Sequence, residues 1–66
     1  MTKHAAITRA AEVARARRDW RYVIWSPEEQ DAPGQHYHVA SDEDADTFYA
    51  GAEVVLTVGP DGTVEP

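Results

Sequence analysis

The chain has 66 residues, no cysteine and a formal net charge of −6. A chain of this length can form one domain with one small core, and without cysteine it can form neither disulfides nor thiolate metal sites. It contains no apolar run of the roughly 18 residues that a membrane helix needs, and no apolar stretch typical of a signal peptide. We therefore expect a soluble, cytoplasmic protein.

Charge is divided sharply along the sequence. All six basic residues precede Tyr22, where two carboxylates oppose them, so this segment has a formal charge of about +4. From Tyr22 to Pro66, a stretch of 45 residues, there are ten carboxylates and no Lys or Arg. An average stretch of that length would contain about four or five basic residues. Their exclusion indicates a surface selected for negative charge.

The first predicted element is a helix over Thr2–Arg18. This segment is rich in Ala, contains neither Gly nor Pro, and offers Thr2 as an N-cap. One broad face is formed by Ile7, Ala10, Val13, Ala14 and Arg17. Because this face is mostly Ala, we expect the helix to pack either very closely or only weakly. The late Arg residues suit the helix dipole, which favours a solvated helix over a nucleic-acid-binding arm.

Two strands follow this helix. Trp20–Trp25 is rich in aromatic and β-branched residues, and predicts a strand that is either central and covered on both faces or partly exposed for a partner. Ser26–Gln35 has two Pro, one Gly and three acidic residues, and predicts a loop too long for a tight hairpin. His36–Ala40 predicts a second, antiparallel strand with His36 and His38 together on one partly exposed face.

Ser41–Tyr49 predicts a short acidic helix, around which we expect the function to be organised. Ser41 is a favourable N-cap, and Asp44 three residues later gives the S-x-x-D form of the capping box. The acidic residues of the first turn suit the positive end of the helix dipole. Gly51 supplies a C-terminal stop, and an apolar stripe is predicted to face the core: Ala45, Phe48, Tyr49 and Ala52.

The remaining segments complete one domain over residues 1–66. Glu53–Val58 predicts a third strand, and Gly59–Gly62 predicts a turn before Thr63–Glu65, which can pair back as a small hairpin. The expected fold is α+β, a helix followed by a three-stranded, mostly antiparallel sheet in the order α-β-β-α-β, with a short C-terminal strand as a possible addition. We expect both helices against one face of this sheet.

No segment has the pattern of a catalytic or cofactor site. The sequence lacks a nucleophile motif, a glycine-rich nucleotide loop and the register of a calcium-binding loop. We therefore expect no enzymatic activity and no cofactor. His36 and His38 could bind a metal together with Asp42 or Glu43, but two histidines on one strand are common by chance, so a metal site is the weaker interpretation.

Negative charge is the feature that remains. Asp42 and Asp46 would lie roughly 6 Å apart on one edge of a helix, with Glu43 beside them, and each DNA strand carries a phosphate about every 3.4 Å. Such a surface can occupy a groove built for nucleic acid. On a compact, cysteine-free body, it resembles the small acidic phage anti-CRISPR proteins that imitate DNA and inhibit type I surveillance complexes, in particular type I-C. The residues that carry this resemblance are Glu28, Glu29, Asp31, Asp42, Glu43, Asp44, Asp46 and Glu53.

The resemblance implies a non-enzymatic inhibitor in the cytoplasm of a bacterial host cell. Its acidic residues would block the basic surface with which a surveillance complex binds the protospacer-adjacent motif, and Trp25 or Tyr22 would be an anchor at the rim. We expect no direct nucleic-acid binding and no membrane partner. Trp20 and Trp25, on opposite faces of their strand, leave open whether the chain is a monomer or a weak homodimer. The basic first helix departs from a uniformly acidic mimic, and could lie on the far side of the molecule or meet an acidic patch of the same partner.

Three alternatives stay open. The first is an antitoxin-like or adaptor module that binds a basic protein unrelated to nucleic acid. The second is a small metalloprotein built on His36 and His38. The third is direct nucleic-acid binding, which the carboxylates of the rest of the chain would oppose, through Arg15, Arg17, Arg18 and Arg21.

Overall fold

The computed structural model describes residues 1–28, 33–47 and 52–66. In chain order the elements are α1 (Lys3–Arg17), β1 (Arg21–Trp25), β2 (Tyr37–Ala40), α2 (Asp42–Thr47), β3 (Glu53–Val58) and β4 (Val64–Glu65). The strands form one sheet in the order β2-β1-β3-β4, and every neighbouring pair is antiparallel. The predicted α+β class, the order of the elements and the short C-terminal strand are confirmed.

Helix α1 begins and ends at capped residues. The Thr2 hydroxyl accepts a hydrogen bond from the Ala5 backbone N–H at 3.2 Å, which satisfies one of the donors exposed at a helix start. At the other end Arg18 adopts the left-handed conformation (φ 51°, ψ 48°), and its N–H donates to the carbonyl of Ala14. Both ends are therefore fixed by local contacts, and the helix begins and ends within one residue of the predicted bounds, Thr2–Arg18.

The buried stripe of α1 consists of three alanines at four-residue spacing. Ala6, Ala10 and Ala14 are completely buried, and they pack in one cluster with Val23 of β1 and Val58 of β3. Small side chains let a helix backbone approach a sheet closely, so the close-packing alternative is the one observed. Ile7 and Val13 are only half-buried and Arg17 is exposed, so the buried face is rotated from the predicted one.

Strand β1 is covered on both faces, because neighbouring residues of a strand point to opposite sides. Val23 faces α1, whereas Tyr22 and Ile24 face the other side, where Ile24 is 1% exposed. The register pairs Ile24 with His38 and Tyr22 with Ala40, so these residues share the second face. Of the two predicted alternatives for this strand, the central and doubly covered one is therefore correct.

Helix α2 belongs to the crossover that covers the second face. Strands β2 and β3 are both antiparallel to β1, which lies between them, so they are parallel to each other and their connection must cross β1. Within that connection α2 contacts β1 and β2. The expectation that both helices share one face is therefore wrong, since the sheet separates α1 from α2.

The chain end and the last turn make two further contacts with the sheet. The Met1 ammonium donates to the carbonyl of Tyr37 at 3.1 Å, and the Tyr37 N–H donates to the Met1 carbonyl at 3.2 Å, on the outer edge of β2. Between β3 and β4, Gly62 has a positive φ of 87°, and a Cβ there would lie 2.6 Å from an Arg15 side-chain nitrogen. Arg15 thus packs α1 against the β3–β4 turn.

Candidate interaction surface

The local sequence of α2 explains why so short a helix forms. The Ser41 hydroxyl accepts a hydrogen bond from the Asp44 N–H at 3.2 Å, and the Ser41 carbonyl accepts one from Ala45 at 2.9 Å. Near the other end, the Thr47 hydroxyl donates to the Glu43 carbonyl at 2.8 Å. The predicted cap is confirmed. The predicted stop and part of the apolar stripe lie outside the described residues, namely Phe48, Tyr49 and Gly51.

Three carboxylates of α2 face the solvent. Asp42, Glu43 and Asp46 are exposed, whereas Asp44 and Ala45 are half-buried against the sheet. We call Asp42, Glu43 and Asp46 the acidic patch. Helical spacing grouped these three residues in the sequence as well, but Asp44 was also predicted to bind the partner, and the structure places it half-buried instead.

A tyrosine of the sheet fixes the position of the acidic patch. The Tyr22 hydroxyl donates a hydrogen bond to an Asp42 carboxylate oxygen at 2.5 Å. This hydrogen bond is the largest cause of a raised pKa for Tyr22, followed by burial and by the negative charges of Asp42, Asp19 and Asp46. Asp19, which the sequence did not indicate, therefore also adds negative charge that acts on Tyr22.

Cations of the same chain do not neutralise the acidic patch in the part that the structure describes. Among the described residues, the one ion pair shorter than 4.0 Å joins Arg21 to Asp19, with 3.4 Å between the guanidinium nitrogen and the carboxylate oxygen. Arg21 also donates to the carbonyl of Trp20 at 2.7 Å. The arginine nearest to α2 in sequence thus engages Asp19 and leaves the acidic patch uncompensated.

The other predicted carboxylates lie elsewhere. Glu53 is exposed at the start of β3, where it pairs in register with Trp25, and Glu28 is exposed three residues beyond the end of β1. Tyr22 and Trp25 are three residues apart on β1, which is roughly 10 Å along a strand. The structure therefore places Glu28 and Glu53 towards the opposite end of β1 from Tyr22, and the remaining predicted residues, Glu29 and Asp31, lie outside the described residues.

An exposed indole lies directly before β1, close to Gly59 of the β3–β4 turn. Trp20 is 42% exposed, and the Asp19 carboxylate accepts its backbone N–H at 2.8 Å. The two aromatic residues predicted as anchors are less accessible, since Tyr22 is half-buried and bonded to Asp42, and Trp25 is half-buried with its ring centroid 5.5 Å from that of His36. Trp20 is therefore the aromatic side chain best placed to contact a partner. The sequence did not single it out, because Trp20 was predicted as part of β1.

The histidines do not form the predicted exposed pair. His38 is 7% exposed on the second face of the sheet, while His36 precedes β2, is half-buried, and has its Nδ1 at 2.9 Å from the Ser26 carbonyl. The prediction of two partly exposed histidines is wrong, because the crossover side of the sheet is covered. Within residues 1–28, 33–47 and 52–66, no three His, Cys, Asp or Glu side chains are grouped so as to hold a metal ion.

Comparison with known proteins gives no family for this chain. No protein-family profile matches it, and no significant match was found among curated proteins or solved structures. Among the described residues, no helix has the length and apolar character needed to cross a membrane. The function must therefore be inferred from the surface itself.

Proposed function

We propose that this chain is a non-enzymatic inhibitor whose acidic patch blocks the nucleic-acid-binding surface of a bacterial CRISPR surveillance complex. The site blocked would be the basic groove that reads the protospacer-adjacent motif, and the inhibitor would act in the bacterial cytoplasm. The observation that carries this proposal is the acidic patch itself, which is exposed and unpaired with any Lys or Arg in the described parts of the chain.

The spacing of charge within the patch supports imitation of a polynucleotide. Glu43 and Asp46 are three residues apart on α2, and Asp42 and Asp46 are four apart, so each pair lies about 5–6 Å apart at the Cβ atoms. Phosphates follow one another along a DNA strand at about 3.4 Å of helix axis. Basic side chains arranged to bind successive phosphates can therefore reach successive carboxylates of the patch.

Concentrating these charges opposes folding. Like charges three or four residues apart on a helix destabilise it by a few tenths of a kcal/mol per pair, and small proteins have little stability to spare. The Tyr22 hydroxyl and the Ser41 cap hold the helix in place despite this repulsion. A basic target would relieve the same repulsion on binding. The cost in stability is therefore easier to explain if the acidic patch binds a cationic partner.

Competition with a target duplex tests the proposal. A purified type I-C surveillance complex is incubated with a labelled duplex that carries its protospacer-adjacent motif, and the chain is titrated in. We expect displacement of the duplex, with an apparent affinity that falls steeply between low and physiological salt, because exposed charges are screened. Absence of displacement at low salt would contradict the proposal for this class of complex.

A matched pair of variants identifies the surface responsible. Glu43→Lys/Asp46→Lys reverses two patch charges and leaves the Tyr22–Asp42 hydrogen bond in place, and we expect it to weaken inhibition at least tenfold, or about 1.4 kcal/mol. Glu12→Lys/Glu65→Lys makes the same change in net charge at exposed residues of α1 and β4, and should retain inhibition. Equal loss in both variants would indicate a nonspecific effect of net charge.

A second function is favoured by Trp20. An exposed indole beside carboxylates is typical of protein–protein interfaces, whatever the partner's own ligand is. We therefore keep an acidic adaptor or antitoxin-like module as the alternative. If excess duplex DNA does not compete for the partner that the chain binds, the partner's surface is not a nucleic-acid groove and the alternative is correct.

A further inference from the structure

The solvent-exposed side of α1 is mainly basic, whereas that of α2 is acidic. Five cationic side chains of the first 18 residues are exposed: Lys3, Arg9, Arg15, Arg17 and Arg18. On this side lies an open groove of about 320 Å³, lined by Arg9, Glu12, Val13, Ala16 and Arg17. Its apolar lining is Val13 and Ala16, and Arg9 and Arg17 are eight residues apart, or about 12 Å along a helix.

The fold prevents these cations from pairing with the acidic patch of the same molecule. The sheet lies between α1 and α2. Among the described residues, Arg21 and Asp19 form the one ion pair shorter than 4.0 Å. Arg9 and Arg17 therefore have no carboxylate of their own chain within that distance in the described parts. Opposite charges that cannot meet within one molecule can meet between two.

We propose that a second copy of this chain docks its acidic patch in the groove between Arg9 and Arg17. Glu43 and Asp46, about 5–6 Å apart on a helix, fit within the 12 Å that separates the two arginines, so each carboxylate can approach one guanidinium. The contact is head-to-tail, since it joins two different surfaces. It leaves one acidic patch and one basic groove free at the ends, and it does not depend on the proposed function.

Charge complementarity favours a second copy over a nucleic acid. A long polyanion that approached α1 would also be repelled by the ten carboxylates that follow Tyr22. The acidic patch of a second copy is short enough to fit between Arg9 and Arg17. Although both copies have a net charge of −6, a head-to-tail contact turns the acidic helix of one towards the basic helix of the other. Because exposed ion pairs contribute little each and are weakened by salt, the association is weak and is strongest at low ionic strength.

A mixing experiment tests the proposal. Sedimentation is measured at about 10 mM salt for the wild type, for Arg9→Gln/Arg17→Gln, for Glu43→Gln/Asp46→Asn, and for an equimolar mixture of these two variants. We expect the wild-type mass to rise with concentration and each variant alone to be monomeric. The mixture should associate, but by roughly twofold in mass at most, because each variant retains only one of the two surfaces. At about 150 mM salt, where the screening length falls to about 8 Å, association should be largely lost.

Four results would overturn the proposal. A wild-type chain that stays monomeric at low salt excludes it, and so does a variant that associates alone as the wild type does. A mixture that stays monomeric while both variants keep the wild-type circular dichroism spectrum also excludes it. A gel shift with duplex DNA or RNA that is lost in Arg9→Gln/Arg17→Gln would assign the groove to nucleic acid instead. None of these measurements uses a surveillance complex, so their failure is separate from failure of the proposed inhibition.

Discussion

The two helices of this protein are stabilised in opposite ways. Helix α1 has fifteen residues and buries three alanines completely against the sheet, so packing holds it and its charges are free to vary. Helix α2 has six residues, none of them buried, and depends on the Ser41 cap and the Tyr22 hydroxyl. Close packing therefore specifies the fold on one face, while a few polar contacts position a charged surface on the other.

This comparison predicts that enlarging a buried alanine of α1 has the largest effect. Ala10→Leu adds three carbons where the helix touches Val23 and Val58, and we expect a loss of about 1–3 kcal/mol in the free energy of unfolding, because the backbone must move away. Urea denaturation measures it. Ala16→Leu, on the exposed side of the same helix, should change stability by less than about 0.5 kcal/mol. Equal effects would mean that α1 is not closely packed.

Disturbing the contact between Arg15 and the last turn should have the next largest effect on the free energy of unfolding. Gly62→Ala places a Cβ against the Arg15 side chain in a backbone of positive φ, and we expect a cost of about 1–2 kcal/mol. Gly34→Ala is the matched control, since its φ is also positive at 81° but a Cβ there would meet no atom of residues 1–28, 33–47 and 52–66 within 4 Å. The difference between the two unfolding free energies isolates the Arg15 contact. No difference would show that Arg15 moves away without cost.

Removal of the α2 cap tests the other half of the comparison. Ser41→Ala deletes the acceptor of the Asp44 N–H, and we expect a loss of about 1 kcal/mol in unfolding free energy. Ser41→Asp restores an acceptor and should recover most of that loss. If Ser41→Ala also weakens association of the chain at low salt, the acidic patch depends on the cap for its geometry. Unchanged stability would show that tertiary contacts alone hold α2.

The smallest effect is a pH dependence centred on Tyr22. Its pKa is raised above the ordinary 10.0 by the hydrogen bond to Asp42, so the folded state favours the neutral phenol. This contribution to stability is complete below pH 10 and is lost as pH rises through the raised pKa. Ultraviolet titration, with Tyr22→Phe subtracted, should show a late phenol that moves towards 10 in Asp42→Asn. A Tyr22 that titrates at its ordinary pKa would contradict the hydrogen bond.

Sequence patterns predicted what is local and failed where tertiary arrangement decides. The caps at Thr2 and Ser41 and the turn at Gly59–Gly62 depend on neighbouring residues, and each was predicted correctly. The separation of the helices was not predicted, because it follows from β3 pairing with β1, and not with β2. A strand order of this kind leaves no periodic signal in the sequence.

The candidate surface shows the same division. The acidic character of α2 could be predicted from composition alone. Which carboxylates face the solvent depends on how the helix is rotated against the sheet, and this rotation leaves Asp46 exposed and Asp44 half-buried. Burial of His38 and exposure of Trp20 were both missed. For His38 the missing information was that the crossover covers its face of the sheet. For Trp20 it was that β1 begins only at Arg21, so the residue predicted as part of the strand lies outside it.

Because Met1 pairs with Tyr37, the two edges of the sheet differ in how readily they could pair with a strand of another molecule. At the β2 margin the backbone groups of Tyr37 are already satisfied by Met1, so an incoming strand would have to displace it. At the other margin β4 pairs with Thr57 and Val58, and Val54 further along β3 is 50% exposed. Any intermolecular extension of this sheet would therefore begin along β3, because Met1 already occupies the Tyr37 end of the β2 edge.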